Sequence, residues 1–269
     1  MIYRTHCALR LGDNLCHLHF MRKLAQAYPD FRFIHYAHRI YLPQLIEVVS
    51  DLPNLQLGDL ESVSDGIGHF WDMKPHADFC SRNAWKNVFG QWENSPLKNE
   101  WVEFSLEHFS WLARSMNLES PIKSADDLLF DYPAIKREGA ASPVDMLIVN
   151  SAPMSGQLPG YNPAEMEELV GELSQRYSCI TTQPTKYAVS CTQHSCKTVS
   201  QIGWLSTFCK YIVMISTGPS WPTFNIFNKD TVQFRLILIG QEEINLTKNT
   251  EHAGSVFEAR RRLQERGLL

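Results

Sequence analysis

Two short segments hold residue types that could act on a substrate. Leu11-Gly12-Asp13-Asn14 follows an apolar run and precedes a helical pattern. A glycine there lets the backbone turn tightly and approach a ligand, and the next residues expose free amide donors. Asp13 has two readings: a helix cap, or a general base that takes a proton from an incoming hydroxyl. The second segment, Thr217-Gly218-Pro219-Ser220-Trp221-Pro222, follows the β-branched and aromatic run Tyr211–Ser216, and a helix start is predicted near Pro222. Hydroxyls, glycine and amide dipoles in this order make an anion pocket that needs no metal. The alternative is an ordinary strand-to-helix turn.

Other constellations are weaker. Cys191, His194 and Cys196, with Cys179 upstream, supply soft zinc ligands but lack the paired spacing of common zinc modules. Cys16 and His19 share a helix face with His17 nearby, which suits packing or a cleft edge better than ligation. Gly12 stands alone where a nicotinamide enzyme would carry Gly-x-Gly-x-x-Gly. No local pattern selects a Cys/His nucleophile pair. His69, Trp71, His76 and Asp78 form a polar and aromatic patch that either meets an acceptor or covers the core as a mixed loop.

The elements that must position these residues alternate. The first half reads as a strand over His6–Leu11 and a helix over residues 14–27 with Asp13 or Asn14 as N-cap. A strand over Phe31–Tyr36, a helix over Leu42–Ser50 and a short strand over Asn54–Leu57 follow. Residues 61–120 are crowded with aromatics, including five of the seven tryptophans, and contain a helix over Trp101–Met116. Such a wall either packs irregular helices or receives a ligand ring. Residues 136–143 have linker composition. The second half predicts strands over Val144–Asn150, Cys179–Thr182, Tyr211–Ser216 and Val232–Ile239. Its helices are Pro163–Arg176 (N-cap Asn162), Thr198–Cys209 and Ser255–Arg266. Alternating strands and helices predict two Rossmann-like α/β/α domains, 1–140 and 141–269. Ligands in such sheets bind beyond the strands' carboxyl ends, so two facing halves would define a cleft.

Composition excludes several classes. The 269 residues are 44% hydrophobic and 20% charged, which gives ample material for packed cores and argues against disorder. A formal charge of −4 offers no reservoir of positive potential for a nucleic-acid backbone. The cluster Arg260, Arg261, Arg262 and Arg266 suits the negative end of a terminal helix. No targeting segment is read at the start, and the charge-free run Tyr211–Asn228 is broken by Gly218, Pro219 and Pro222, so no integral membrane segment is expected. Seven cysteines without a signal fit a reduced, cytoplasmic setting, at most peripheral to the inner membrane face.

Gly12-Asp13-Asn14-Leu15, with a helix ending in Ala27-Tyr28-Pro29-Asp30, resembles the opening of the heptosyltransferase family, glycosyltransferases of the two-Rossmann GT-B type. Thr198-Val-Ser-Gln201-Ile-Gly-Trp-Leu205-Ser, then a strand, then Thr217-Gly218-Pro219-Ser220, is similar to that family's nucleotide-sugar signature. The resemblance implies metal-independent, inverting transfer of a sugar from a nucleotide-sugar donor to a hydroxyl of a glycan or similar acceptor, with no cofactor. Asp13 would be the catalytic base. Thr217, Gly218, Pro219 and Ser220 would hold the diphosphate, with Ser151, Gln183, Lys186 or Lys197, and Gln201 on the donor side. Gly12, Asn14, His69 and Trp71 would lie toward the acceptor. Ser216 and Trp221 replace an acidic residue and a histidine found in many relatives, two lost polar contacts to the donor that favour the second of two alternatives. One is an epimerase or hydrolase on the same fold, the other a non-catalytic nucleotide- or glycan-binding module.

Overall fold

The computed structural model describes residues 2–7, 10–64, 100–136, 144–153, 158–187, 189–194, 198–240 and 243–269. The chain divides into two compact units, Met1–Pro133 and Ala134–Leu269. Ile135, fully buried, lies where it would meet a Cβ placed on Gly203, which puts the start of the second unit ahead of the polar stretch.

The first unit runs β1 (Ile2–Cys7), α1 (Leu11–Ala27), β2 (Arg32–Ala37), α2 (Leu42–Val49), β3 (Leu55–Asp59), α3 (Leu60–Ser64) and α4 (Trp101–Ser115), then two single 3-10 turns. Its three strands are parallel in the order β1-β2-β3, with Ile2 opposite Arg32 and Phe33 opposite Leu55. Helix α1 is buried around almost its whole girth. Leu15, Leu18, Phe20, Met21 and Leu24 are fully covered, and Phe20 stacks on Phe109 of α4 at 4.8 Å. Asn14, His17, His19 and Arg22 on it are therefore buried too, and groups so placed need partners. Arg22 finds Asp51 in a two-pronged contact at 2.5 and 2.7 Å, Asp131 at 3.2 Å and the Val48 carbonyl at 3.1 Å.

The second unit runs β4 (Val144–Val149), α5 (Pro163–Ser174), β5 (Cys179–Thr181), β6 (Ser190–Cys191), α6 (Val199–Ser206), β7 (Cys209–Ile215), β8 (Phe234–Leu238), β9 (Thr250–Ala253) and α7 (Val256–Glu265). All six strands are parallel, ordered β6-β5-β4-β7-β8-β9. Counted within the unit this is 3-2-1-4-5-6, the Rossmann order, which reverses direction between β4 and β7. The core is aliphatic: Met146, Ile148, Val213, Ile215, Leu236 and Leu238 are covered by Met166, Leu169 and Leu173 of α5 and by Ala259 and Leu263 of α7. Asn162 caps α5 as expected, its side-chain oxygen accepting the Ala164 N–H at 3.0 Å, with Pro163 in the first turn. Strands β6 and β9 escaped the sequence reading because one is two residues long and the other, Thr-Glu-His-Ala, is polar.

The architecture is the expected α/β pattern of two Rossmann-like units. Two local expectations need correction. The first strand ends at Cys7 and α1 begins at Leu11, so the tail of the apolar run starts the helix and Arg10, in extended backbone, is its N-cap in place of Asp13 or Asn14. In the second unit no helix starts near Pro222. Gly218–Thr223 is a 3-10 turn with Thr217 as its cap, and Pro222 lies inside it.

Candidate functional site

At the start of α1, Gly12 and Asn14 are buried in the first turn and Asp13 is half-buried. Gly12 is helical and uses no left-handed backbone; among the described residues only Gly160 and Gly267 do so for glycine. An Asp13 carboxylate oxygen accepts the Arg10 backbone N–H at 3.1 Å, closing the corner into the helix. Burial raises the Asp13 carboxyl above its ordinary value, opposed by the Arg10 N–H bond and the nearby Arg10 charge. A carboxylate made more basic and half-exposed is suited to accept a proton. Its capping role and its availability as a base coexist, because a carboxylate has lone pairs to spare.

In the second unit the carboxyl ends of β5, β4 and β7 are neighbours, and they carry Gln183, Ser151 and Thr217–Ser220. The β4–β7 junction is the point where strand order reverses, the place where ligands enter open α/β sheets. Asn150 clamps this edge. Its side-chain oxygen accepts the Thr182 N–H at 3.1 Å, the Gln183 N–H at 2.8 Å and the Thr182 hydroxyl at 3.2 Å, while its amide donates to the Gln183 carbonyl at 3.2 Å. With the Thr182 proton so used, the Ser151 hydroxyl donates to Thr182 Oγ1 at 3.2 Å. Sequence reasoning missed Asn150 and Thr182; an amide residue directly after a buried strand run is the signal that could have found them.

The turn after β7 is held by its own hydroxyls. Ser220 Oγ accepts the Thr217 N–H at 3.2 Å and donates to the Thr217 carbonyl at 2.7 Å, and Thr217 Oγ1 donates to the Ile215 carbonyl at 3.3 Å. The first N–H of the turn, at Gly218, has no acceptor within the turn. Ser220 is buried, whereas Thr217, Gly218 and Pro219 are partly exposed. Behind the turn, Gly203 of α6 packs so closely that a Cβ there would come within 2.8 Å of the Pro222 carbonyl oxygen and Cβ.

Below this turn lies a buried polar network that the sequence reading did not single out. Ser206 Oγ donates to the Gly203 carbonyl and accepts from the Asn225 and Asn228 amides at 3.2 and 2.7 Å. Asn225 also donates to the Pro222 carbonyl at 2.9 Å. Asn228 donates to the Thr223 carbonyl at 3.0 Å and accepts from the Arg235 guanidinium of β8 at 2.6 Å. Arg235 is fully buried with Thr247 as a second partner and the Phe224 ring 5.7 Å away, and burial lowers its pKa to about 10. A charge amid the apolar run Val232–Ile239 was its sequence signal.

The remaining candidates divide. Gln201 caps α6, its side-chain oxygen accepting the Thr198 N–H at 3.2 Å. Lys186 is exposed, its backbone N–H bonded to Glu167 of α5 at 2.6 Å and its ammonium 3.7 Å from the same carboxylate. His69, Trp71, His76, Asp78, Cys196 and Lys197 lie outside the described residues. Among the described residues no group of three or more His, Cys, Asp or Glu could hold a metal ion. Cys16 and His19 sit on α1 in the packed core, with His19 Nε2 on the Asp127 carbonyl at 2.9 Å. No helix among the described residues is long and apolar enough to cross a membrane.

No family model and no curated protein sequence matches the chain. Solved structures do. The E. coli heptosyltransferase WaaC with ADP is 12% identical, with 99% of this chain and 98% of that chain covered at a TM-score of 0.55. The same enzyme with ADP-2-deoxy-2-fluoro heptose is 12% identical over 99% and 100% of the two chains at 0.52. At this identity the likeness speaks to architecture: the chain shares the fold of these heptosyltransferase structures, an α/β protein of two Rossmann-like units.

Proposed function

We propose that the chain is a glycosyltransferase that moves a sugar from a nucleotide-sugar donor to a hydroxyl of a glycan or similar acceptor, without a metal and with inversion. The observation that carries this reading is the 3-2-1-4-5-6 sheet, whose reversal brings the segments after β4 and β7, with Ser151 and Thr217–Ser220, side by side. The fold likeness to an enzyme seen with ADP and with a fluorinated ADP-heptose supports a nucleoside-diphosphate sugar as the donor class.

In the proposed reaction Asp13 takes the proton of the acceptor hydroxyl as its oxygen forms a bond to the anomeric carbon. The bond from that carbon to the diphosphate breaks, and the diphosphate leaves with the electron pair. Amide and hydroxyl dipoles fixed in advance stabilise such charge without reorganising. The Gly218 N–H is the donor best placed for it, joined by the Ser151 hydroxyl once it turns from Thr182 to the diphosphate, because the Thr217 and Ser220 hydroxyls already serve the turn. Gln183, on the exposed edge beside Ser151, is assigned to the nucleoside.

A thermal-shift screen against nucleoside diphosphates and nucleotide sugars tests the donor. One base is expected to raise the melting temperature, equivalent to about 2.7 kcal/mol at a hundredfold excess over Kd. Ser151→Ala with Gln183→Ala should reduce the shift. Asp13→Asn should keep it and abolish transfer. No shift with any nucleotide refutes the donor assignment, and binding without transfer in the unaltered chain favours the non-catalytic module.

A further inference from the structure

The corner that carries Asp13 is tied to the sheet by a chain of buried hydrogen bonds. Thr5 of β1 and His35 of β2 are register partners, and Thr5 Oγ1 lies 3.0 Å from His35 Nδ1. His35 Nε2 lies 3.4 Å from Asn14 Oδ1, and Asn14 Nδ2 donates to the Arg10 carbonyl at 3.0 Å. The Arg10 backbone N–H then donates to Asp13 at 3.1 Å. Thr5, His35 and Asn14 are each at most 1% exposed.

Chemistry dictates the polarity of every link. A carbonyl only accepts, so the Asn14 amide nitrogen faces Arg10 and its oxygen faces His35. That oxygen also only accepts, so His35 carries its proton on Nε2. His35 Nδ1 is then a bare lone pair, and the Thr5 hydroxyl donates to it. Burial with His6 nearby holds His35 at about 3, so the imidazole is neutral at pH 7 and the lone pair is available. The neighbouring His17 ring, 5.9 Å away, belongs to a separate pair with His108 at 3.3 Å.

We infer that His35 and Asn14 are positioning residues for Asp13, a one-directional relay from Thr5 that fixes the Arg10 corner and so the carboxylate hydrogen-bonded to it. The inference rests on the reading of Asp13 as the base only for its kinetic consequence; the relay itself does not. An amide at Asn14 serves both neighbours at once, which neither a carboxylate nor an apolar residue can do. A carboxylate at that place would set oxygen against the Arg10 carbonyl.

Nitrogen-15 spectra of the imidazoles in the unaltered chain are the first test, since they need neither substrate nor substitution. His35 is expected as the neutral Nε2–H form from pH 8 to 5; an Nδ1–H form overturns the relay. The second test follows the Asp13 carboxyl by carbon-13 titration in His35→Leu and His35→Gln. Glutamine can place an N–H near the Nε2 position. In His35→Leu the Asp13 midpoint should rise by about one pH unit as the lowering Arg10 N–H bond is lost, and His35→Gln should restore it. If transfer is found, His35→Leu should lower kcat by roughly ten- to a hundredfold with little change in donor KM. An unmoved Asp13 titration in folded His35→Leu refutes the positioning role. A moved titration with full activity in Asp13→Asn keeps the relay and refutes the base.

Discussion

The two units build parallel sheets of similar plan around cores of different character. In the first, His6, His17, His19, His35, His108 and Arg22 are all buried among Phe20, Phe33 and Phe109. In the second, the strands are lined by aliphatic residues, and the buried polar groups are mostly hydroxyls and amides, the largest network lying around Ser206, Asn225, Asn228 and Arg235. The difference follows from α1. A central helix covered over most of its girth holds His17, His19 and Arg22 inside, where His108, the Asp127 carbonyl, Asp51 and Asp131 meet them. The helices α5 and α7 keep polar faces exposed, and internal polar support is found at the turn after β7 and at the Asn150 clamp on β5. The first core is therefore titratable, whereas the second is organised by amides and hydroxyls around one guanidinium.

The strongest way to break that contrast is acid. Burial holds His19 at about 4, His35 at about 3 and His108 at about 4, below their ordinary 6.5. Each binds its proton more readily when unfolded. Their contribution is thus fully present above pH 6.5 and is lost as pH falls through the folded values, at about 1.4 kcal/mol per pH unit for each histidine. In the second unit His252 alone, among the described residues, is a histidine with a lowered value. Native-state hydrogen exchange, corrected for intrinsic pH dependence, should show β1 and β2 losing protection before β4, β7 and β8 between pH 6.5 and 4. Equal loss in both sheets would erase the comparison.

Two buried arginines sharpen it. Arg22→Met takes the guanidinium from Asp51 and leaves Asp131 with Lys23 at 2.7 Å, and should cost about 2–3 kcal/mol in urea unfolding. Arg235→Met leaves no carboxylate behind, only neutral acceptors, and should cost about 1–2 kcal/mol. A reversed order would show that the second core leans on its charge more than its geometry indicates. Smaller in stability but closer to the proposed site is Gly203→Ala. Its new methyl pushes on Pro222 and should cost about 1–2 kcal/mol. The variant should bind nucleotide more weakly while leaving the Asp13 corner unchanged, as chemical shifts of β1 and α1 would report.

Much of the frame was legible because it depends on local periodicity. The body of α1, strand β2, α2, the buried run of β4, the Asn162–Pro163 start of α5, β7 and α7 all carry their own patterns of apolar spacing, caps and β-branched residues. Element ends were less legible. The apolar run around His6–Leu11 serves both the end of β1 and the first residue of α1, and period alone does not divide it. The polar strand β9 offers no alternation of apolar and polar residues to read.

The partners of the candidate residues were out of reach for a different reason. Asn14 reads as a turn or cap residue until β2 brings His35 beside it, twenty-one positions away. Asn225 and Asn228 carry no local signal of a role until α6 and β8 place Ser206 and Arg235 against them. Sequence alone determined the class of fold and, to within a residue, the carboxyl ends of β4, β5 and β7, since these rest on neighbouring residues. Which hydrogen bond each buried amide and imidazole makes was decided only in the tertiary structure. Burial removes water as a partner, and the replacement comes from segments that the chain order does not place together.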